Sequence, residues 1–176
     1  EANSVAIRIA RASTSKHNVA FCGYHGWHDW YLSSNLSRDK KLGFHLFPGV
    51  QIKGVPKQLK KTSIPFFYGD LNELKQIIKK EKIGIIKMEV ARSEKPNINF
   101  LKNVRKLCDK NNIILIFDEC TTGFRENYGG LHKTLGVNPD IAIFGKTLGN
   151  GYAINAIIGK KKFMSNVTST FISSTF

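Results

Sequence analysis

Three apolar runs constrain this chain more than anything else in it: "IGIIKMEV" (83–90), "IILIFDE" (113–119) and "PDIAIFG" (139–145). Each is short for a helix and too continuously apolar for a strand with one wet face, so each reads as a strand buried on both sides. Helical spacing occupies the intervals: "DLNELKQIIKKEK", with Asp70 placed as its N-cap, and "NFLKNVRKLCDKNN". Upstream, "EANSVAIRIARAS" predicts a helix and "HNVAFC" a short strand; downstream, "AINAIIG" predicts a last strand. Strands alternating with amphipathic helices make an α/β sheet covered on both faces. The 176 residues, 41% of them hydrophobic, suffice for one domain with a sizeable core. From "GYHGWHDWYLSSNLS" to "TSIPFFYGD" the reading is a long irregular stretch holding three of the five prolines, and loops of that length tend to be functional.

Charge is the second constraint. The formal net charge of +14 invites a nucleic-acid reading, but the lysines are scattered through "SRDKKLG", "KQLKKTS", "IIKKEK" and "GKKKF" without an arginine stripe or a recognition-helix pattern. A Lys-rich solvated surface accounts for them, with binding of an acidic cofactor or substrate as the alternative. No basic-then-apolar leader and no run long enough to span a bilayer is present, so a soluble protein is expected, and the start at Glu1 suggests an excerpt of something longer. Cys22, Cys108 and Cys120, odd in number and without CxxC spacing, suit reduced thiols in the cytoplasm, with neither disulfides nor structural zinc expected.

In sheets of this kind ligands sit outside the carboxyl ends of the strands. Those ends carry Tyr24 and His25, Glu89, Asp118 and Glu119, and Lys146. A nucleotide hydrolase is the first reading to weigh, since "LIFDE" ends like a magnesium-binding strand and "FGKTLG" contains Gly-Lys-Thr. A phosphate loop needs a glycine where this chain has Asp140, and its lysine should precede the acidic strand rather than follow it.

A second reading joins the same residues differently. Lys146, flanked by Gly145 and "LGNG", can project an amine into a cleft, where desolvation would make it a Schiff-base nucleophile; otherwise it is a solvated loop lysine. Asp118, at the end of a buried strand, needs a compensating charge. The protonated pyridine nitrogen of pyridoxal phosphate would supply one, so the expected partner is a cofactor rather than a side chain; an N-cap or an internal ion pair is the alternative. Glu119 is expected to be structural, held by backbone amides or a basic partner. Tyr24, between Gly23 and Gly26, can stack on a planar ring. A metal role for His25 and His28 lacks the accompanying ligands.

The words "EANSVAIRIAR", "YHGWHDW", "MEVARSEKP", "LIFDECTTGFR", "GVNPDIAIFGKTLGNG" and "FISSTF", in this order, resemble the class III pyridoxal-phosphate aminotransferases, closest to the glutamate-1-semialdehyde aminomutase branch. The resemblance implies a fold-type I large domain, a mixed, mostly parallel seven-stranded sheet with helices on both faces, in an obligate homodimer. It implies that Lys146 forms the Schiff base and shuttles protons, and that Asp118 binds the pyridine nitrogen. Tyr24 would stack on the ring with His25 beside it, Cys120 would pack under it, Thr121 would stand near the cofactor hydroxyl, and Thr175, or Ser174 in its place, would reach the phosphate of the neighbouring subunit. The implied reaction moves an amino group to or from an amino-acid or amino-sugar-type small molecule, with no nucleic acid or membrane partner.

Two departures from the pattern stand out. The serine-glycine phosphate loop expected just before "EAN" lies outside the chain, and the usual Glu-Pro is Glu89 followed by Val90. Residues 1–176 therefore read as the central part of the large domain, without its N-terminal segment and small C-terminal domain, a piece expected to bind cofactor weakly or not at all. The same lysine and aspartate would serve a decarboxylase or racemase of this fold, and a basic nucleic-acid or phosphate-binding module is the alternative from another class.

Overall fold

The structure is a computed structural model that describes residues 1–37, 51–91 and 94–173. Its backbone is a six-stranded sheet in the order β2-β1-β3-β4-β5-β6, formed by Asn18–Cys22 (β1), Ser63–Pro65 (β2), Ile83–Glu89 (β3), Ile114–Asp118 (β4), Ile141–Phe144 (β5) and Ala156–Gly159 (β6). The first five pair in parallel and β6 runs antiparallel along the edge. Every residue of β3, β4 and β5 is buried, as the unbroken apolar runs require. The seven strands implied by the family resemblance are six among the described residues. β2 was not expected: its three residues lie in the supposed irregular stretch, and Pro65 suits it to a sheet edge.

Helices cover both faces. On one, Leu71–Lys80 (α3) and Ile98–Asn111 (α4) bury Leu74, Phe100, Leu101 and Val104 against Ile86, Met88, Leu115 and Phe117. On the other, Ala2–Ala12 (α1) and the single turn Asp29–Leu32 (α2) bury Ile7, Ile9, Trp30 and Tyr31 against Phe21, Ile85, Ile116 and Ile143. Each fully buried Ile or Phe contributes roughly 1.5–3 kcal/mol relative to exposure. Local chemistry sets the helix ends. Asp70 accepts from the Glu73 N–H at 2.8 Å, Asn97 accepts from the Phe100 N–H at 3.0 Å, and α4 stops at Asn112 with φ 52°. Two further short α-helices, Leu131–Leu135 (α5) and Lys161–Met164 (α6), follow among the described residues. Among the described residues no helix is long and apolar enough to cross a membrane.

The register aligns the ends that matter. Cys22 sits beside Met88, Glu89 beside Asp118, and Asp118 beside Ile143. The residues that follow these strands therefore share one edge.

Candidate functional site

At that edge Asp118 is buried, and burial alone would raise its pKa. The Lys87 ammonium, 3.0 Å from Oδ2, and His25, whose Nδ1 lies 2.9 Å from the same oxygen, hold it well below the ordinary carboxylate range. The expectation that the charge on Asp118 is answered by a cofactor rather than a side chain is thereby corrected. Lys87 is fully buried. Burial pulls its pKa down and the attraction of Asp118 opposes that pull, and the 3.0 Å contact with the carboxylate favours the ionised pair.

Lys87 belongs to the strand β3, and sequence reasoning missed it. The signal was present: a lysine inside "IGIIKMEV" has no solvated face to reach if both faces are covered, so it must meet a buried acid.

His25, next to Tyr24 in the chain, is enclosed as well. Burial first, and then the charge of Lys87, lower its pKa to about 4, so the ring is neutral at pH 7. A neutral imidazole carries one N–H. On Nε2 it donates to the Cys22 carbonyl, 3.0 Å away, and Nδ1 accepts from Lys87 Nζ at 3.1 Å; on Nδ1 it donates to Asp118. Both tautomers leave Lys87 as the cation that balances the carboxylate. The ring is packed by Trp30, stacked at 6.2 Å, and edge-on by Phe21 and Tyr31.

Lys146 follows β5 at the same edge. It is exposed rather than desolvated, and Nζ donates to Thr121 Oγ1 at 2.8 Å, three residues beyond Asp118. The sharp bend is at Lys146 itself, with φ 47°, whereas Gly145 is extended. Gly145 is needed for a different reason: a Cβ there would collide with Asn155 Oδ1 and crowd Cys120 Sγ. A left-handed non-glycine residue costs of order 1–3 kcal/mol, a strain concentrated at functional sites. Cys120 links the two halves, donating its N–H to Asp118 Oδ1 at 3.2 Å; burial and the nearby Asp118 charge raise its thiol to about 12.

Tyr24 is half-exposed, with its ring edge-on to Tyr31 at 6.1 Å. Its N–H donates to Glu89 Oε2 at 3.0 Å, a contact that requires Gly23: φ there is +105° and a Cβ would strike the Glu89 carboxylate. Glu89 thus fixes the loop carrying Tyr24 although Val90 replaces the usual proline. Glu119 is structural, as expected: it accepts from the N–H groups of Leu131 and His132, both at 2.9 Å, and also contacts His132 Nδ1 and Thr122 Oγ1. His28 stacks on Trp27 at 4.7 Å. Thr175 and Ser174 lie outside the described residues. Asp140, which excludes a phosphate loop, sits at the opposite edge, bound to Arg105 and Lys160.

Comparison with known proteins points to one family. The family profile of the class-III aminotransferases matches residues 1–176. A 3-aminobutyryl-CoA aminotransferase of Cloacimonas acidaminovorans (strain Evry) is 38% identical over 186 aligned positions, covering 100% of this chain and 41% of the relative. A glutamate-1-semialdehyde 2,1-aminomutase of Syntrophobacter fumaroxidans is 36% identical, covering 93% of this chain and 39% of the relative. The chain thus spans about two-fifths of the length of these relatives. Among solved structures, an omega-transaminase from Sphaerobacter thermophilus superposes with a TM-score of 0.73 at 25% identity, over 92% of this chain and 39% of that one.

Proposed function

The chain belongs to the class-III aminotransferase family, and from that premise we propose that the whole protein is a pyridoxal-phosphate-dependent aminotransferase or aminomutase acting on an amino-acid or amino-sugar-type small molecule. The observation that carries this reading is the meeting of Asp118 and Lys146 at one sheet edge, joined through Cys120 and Thr121. The residues fit the cofactor. Asp118 Oδ1 accepts one long bond and has lone-pair capacity for a ring N–H, the Lys146 amine is exposed, and the Tyr24 ring is open to stacking.

Bound there, pyridoxal phosphate supplies an electron-withdrawing ring next to the substrate carbon. Lys146 Nζ would hold the cofactor and would be the base for the proton at the substrate carbon. Thr121 Oγ1 orients the amine. Asp118 would hold the ring nitrogen, and Tyr24 and Cys120 would line the ring. In this reading the protein works as a cytoplasmic homodimer.

The test uses full-length protein incubated with the cofactor. A visible band at about 400–430 nm, which conjugation to the ring produces in this cofactor class, is expected in the unmodified protein and is expected to vanish in Lys146→Ala. A well-folded full-length protein showing no band overturns the reading, and salt-sensitive binding of generic DNA would replace it with a nucleic-acid module.

A further inference from the structure

Asp118 has a full counter-charge from within its own fold. Lys87 and Asp118 lie on adjacent strands, β3 and β4, and point to the same face, with both side chains withdrawn from water. In such surroundings charges act on one another at an effective dielectric of about 20 rather than 80, so an ammonium in contact with the carboxylate also acts on whatever the carboxylate binds.

We propose that Lys87 is a positioning residue for the chemistry of the site: it holds the Asp118 carboxylate in place and shares its negative charge, so that a pyridine nitrogen bound there is less basic than Asp118 with neutral His25 alone would make it. The proposal rests on the cofactor reading above. It follows from the groups in direct contact with Asp118, the enclosed Lys87 ammonium and an imidazole kept neutral by burial and by that ammonium, with the Glu89 carboxylate on β3 and the exposed Lys146 further along the same edge. A ring nitrogen that takes a proton here becomes the second cation on a single acid. Hydrogen bonding alone does not explain Lys87, since His25 already reaches the same Oδ2.

The experiment follows the ring nitrogen directly. Full-length protein is loaded with cofactor labelled with 15N in the ring, and the nitrogen shift is recorded against pH for the unmodified protein, Lys87→Met and Lys87→Gln. Glutamine keeps an N–H donor for Asp118 without the charge, which guards against a variant that fails to fold. Both substitutions are expected to raise the protonation constant of the nitrogen by about tenfold or more, the effect of removing a unit charge a few ångströms away. The unmodified protein is expected to lose the ring proton as pH rises within its folded range. A nitrogen that stays protonated throughout that range in the unmodified protein overturns the proposal. So does a bound cofactor with the same titration in Lys87→Gln as in the unmodified protein, which would reduce Lys87 to a hydrogen-bond donor. Failure of folded, unmodified protein to bind the cofactor at all is a distinct result, and it removes the cofactor reading and this proposal together.

Discussion

The two edges of the sheet each bury an aspartate with basic partners, and they do it differently. At the amino edge, Asp140 accepts from the Leu115 N–H at 2.9 Å and pairs with Arg105 at 2.9 Å and Lys160 at 2.7 Å. One of its cations reaches it from the protein surface, the Lys160 side chain being 49% exposed, while Arg105 is 16% exposed. At the carboxyl edge, Asp118 is matched by a lysine with no exposure at all and by an enclosed neutral histidine. Asp140 is a clamp that ties the starts of β4 and β5 to α4 and to the end of β6. Asp118 is an acid whose charge is fixed in advance by a partner that cannot relax into water, with one oxygen turned to the backbone of the loop that leads to Thr121. What separates the two edges is enclosure of the cation rather than proximity of opposite charges, which both share.

The largest expected effect comes from breaking the enclosed pair. Asp118→Asn leaves Lys87 as a lone buried cation, which costs about 3–5 kcal/mol of stability and is expected to reduce turnover of the full-length protein by at least about a hundredfold. The double variant Lys87→Met, Asp118→Asn removes both charges and is expected to recover most of the stability but not the turnover. Denaturant unfolding of the four proteins of this cycle measures the coupling directly. If the double variant is no more stable than Asp118→Asn, Lys87 is not the ion that balances Asp118.

Much of this contrast was legible in the sequence, and what was not had a physical cause. The strands β3, β4 and β5 were readable because burial on both faces leaves only apolar residues, and the carboxyl edge followed from their order. Asp118, Lys146, Tyr24 and Thr121 arrive at that edge from the motifs that named them. Lys87 escaped because a run that is apolar at nearly every position reads as strand despite one lysine, and the exception carried the information. The three-residue β2 escaped because a short edge strand containing Pro65 has too few side chains to show a period. Exposure of Lys146 was unreadable for another reason, since it depends on the left-handed turn at that residue and not on the glycine before it.

A second way to sharpen the comparison uses protons. His25 has a folded pKa of about 4 against an ordinary 6.5, so the unfolded chain binds more protons between those values. Its contribution is fully present above about pH 6.5 and is lost as pH falls toward 4, a loss of about 3 kcal/mol. The Asp140 edge behaves otherwise: its carboxyl is buried, yet the Leu115 N–H, Lys160 and Arg105 hold its pKa below the ordinary value, so its contribution is present above about pH 4 and disappears only at lower pH. Stability measured against pH is therefore expected to fall through the first window in the unmodified protein and to stay flat there in His25→Gln. A His25→Gln protein with the same slope would move the proton uptake to another group.

The smallest effect should come from the exposed cation, and it tests the comparison most directly. Lys160→Met removes one of the ion pairs of Asp140 but leaves Arg105 and the Leu115 N–H in place, and the lost ammonium was half in water, where its attraction is weak and its side-chain freedom is restored on release. The expected cost is below about 1 kcal/mol, shrinking as salt is added because solvent ions screen a charge they can approach. Lys87→Met is expected to cost more, to be insensitive to salt, and to cost less as pH falls, since His25 without its cationic neighbour can take up a proton and replace the missing charge on Asp118. Equal costs and equal salt dependence for the two lysines would mean that the carboxyl edge is another clamp, and that its buried charge prepares nothing for a ligand.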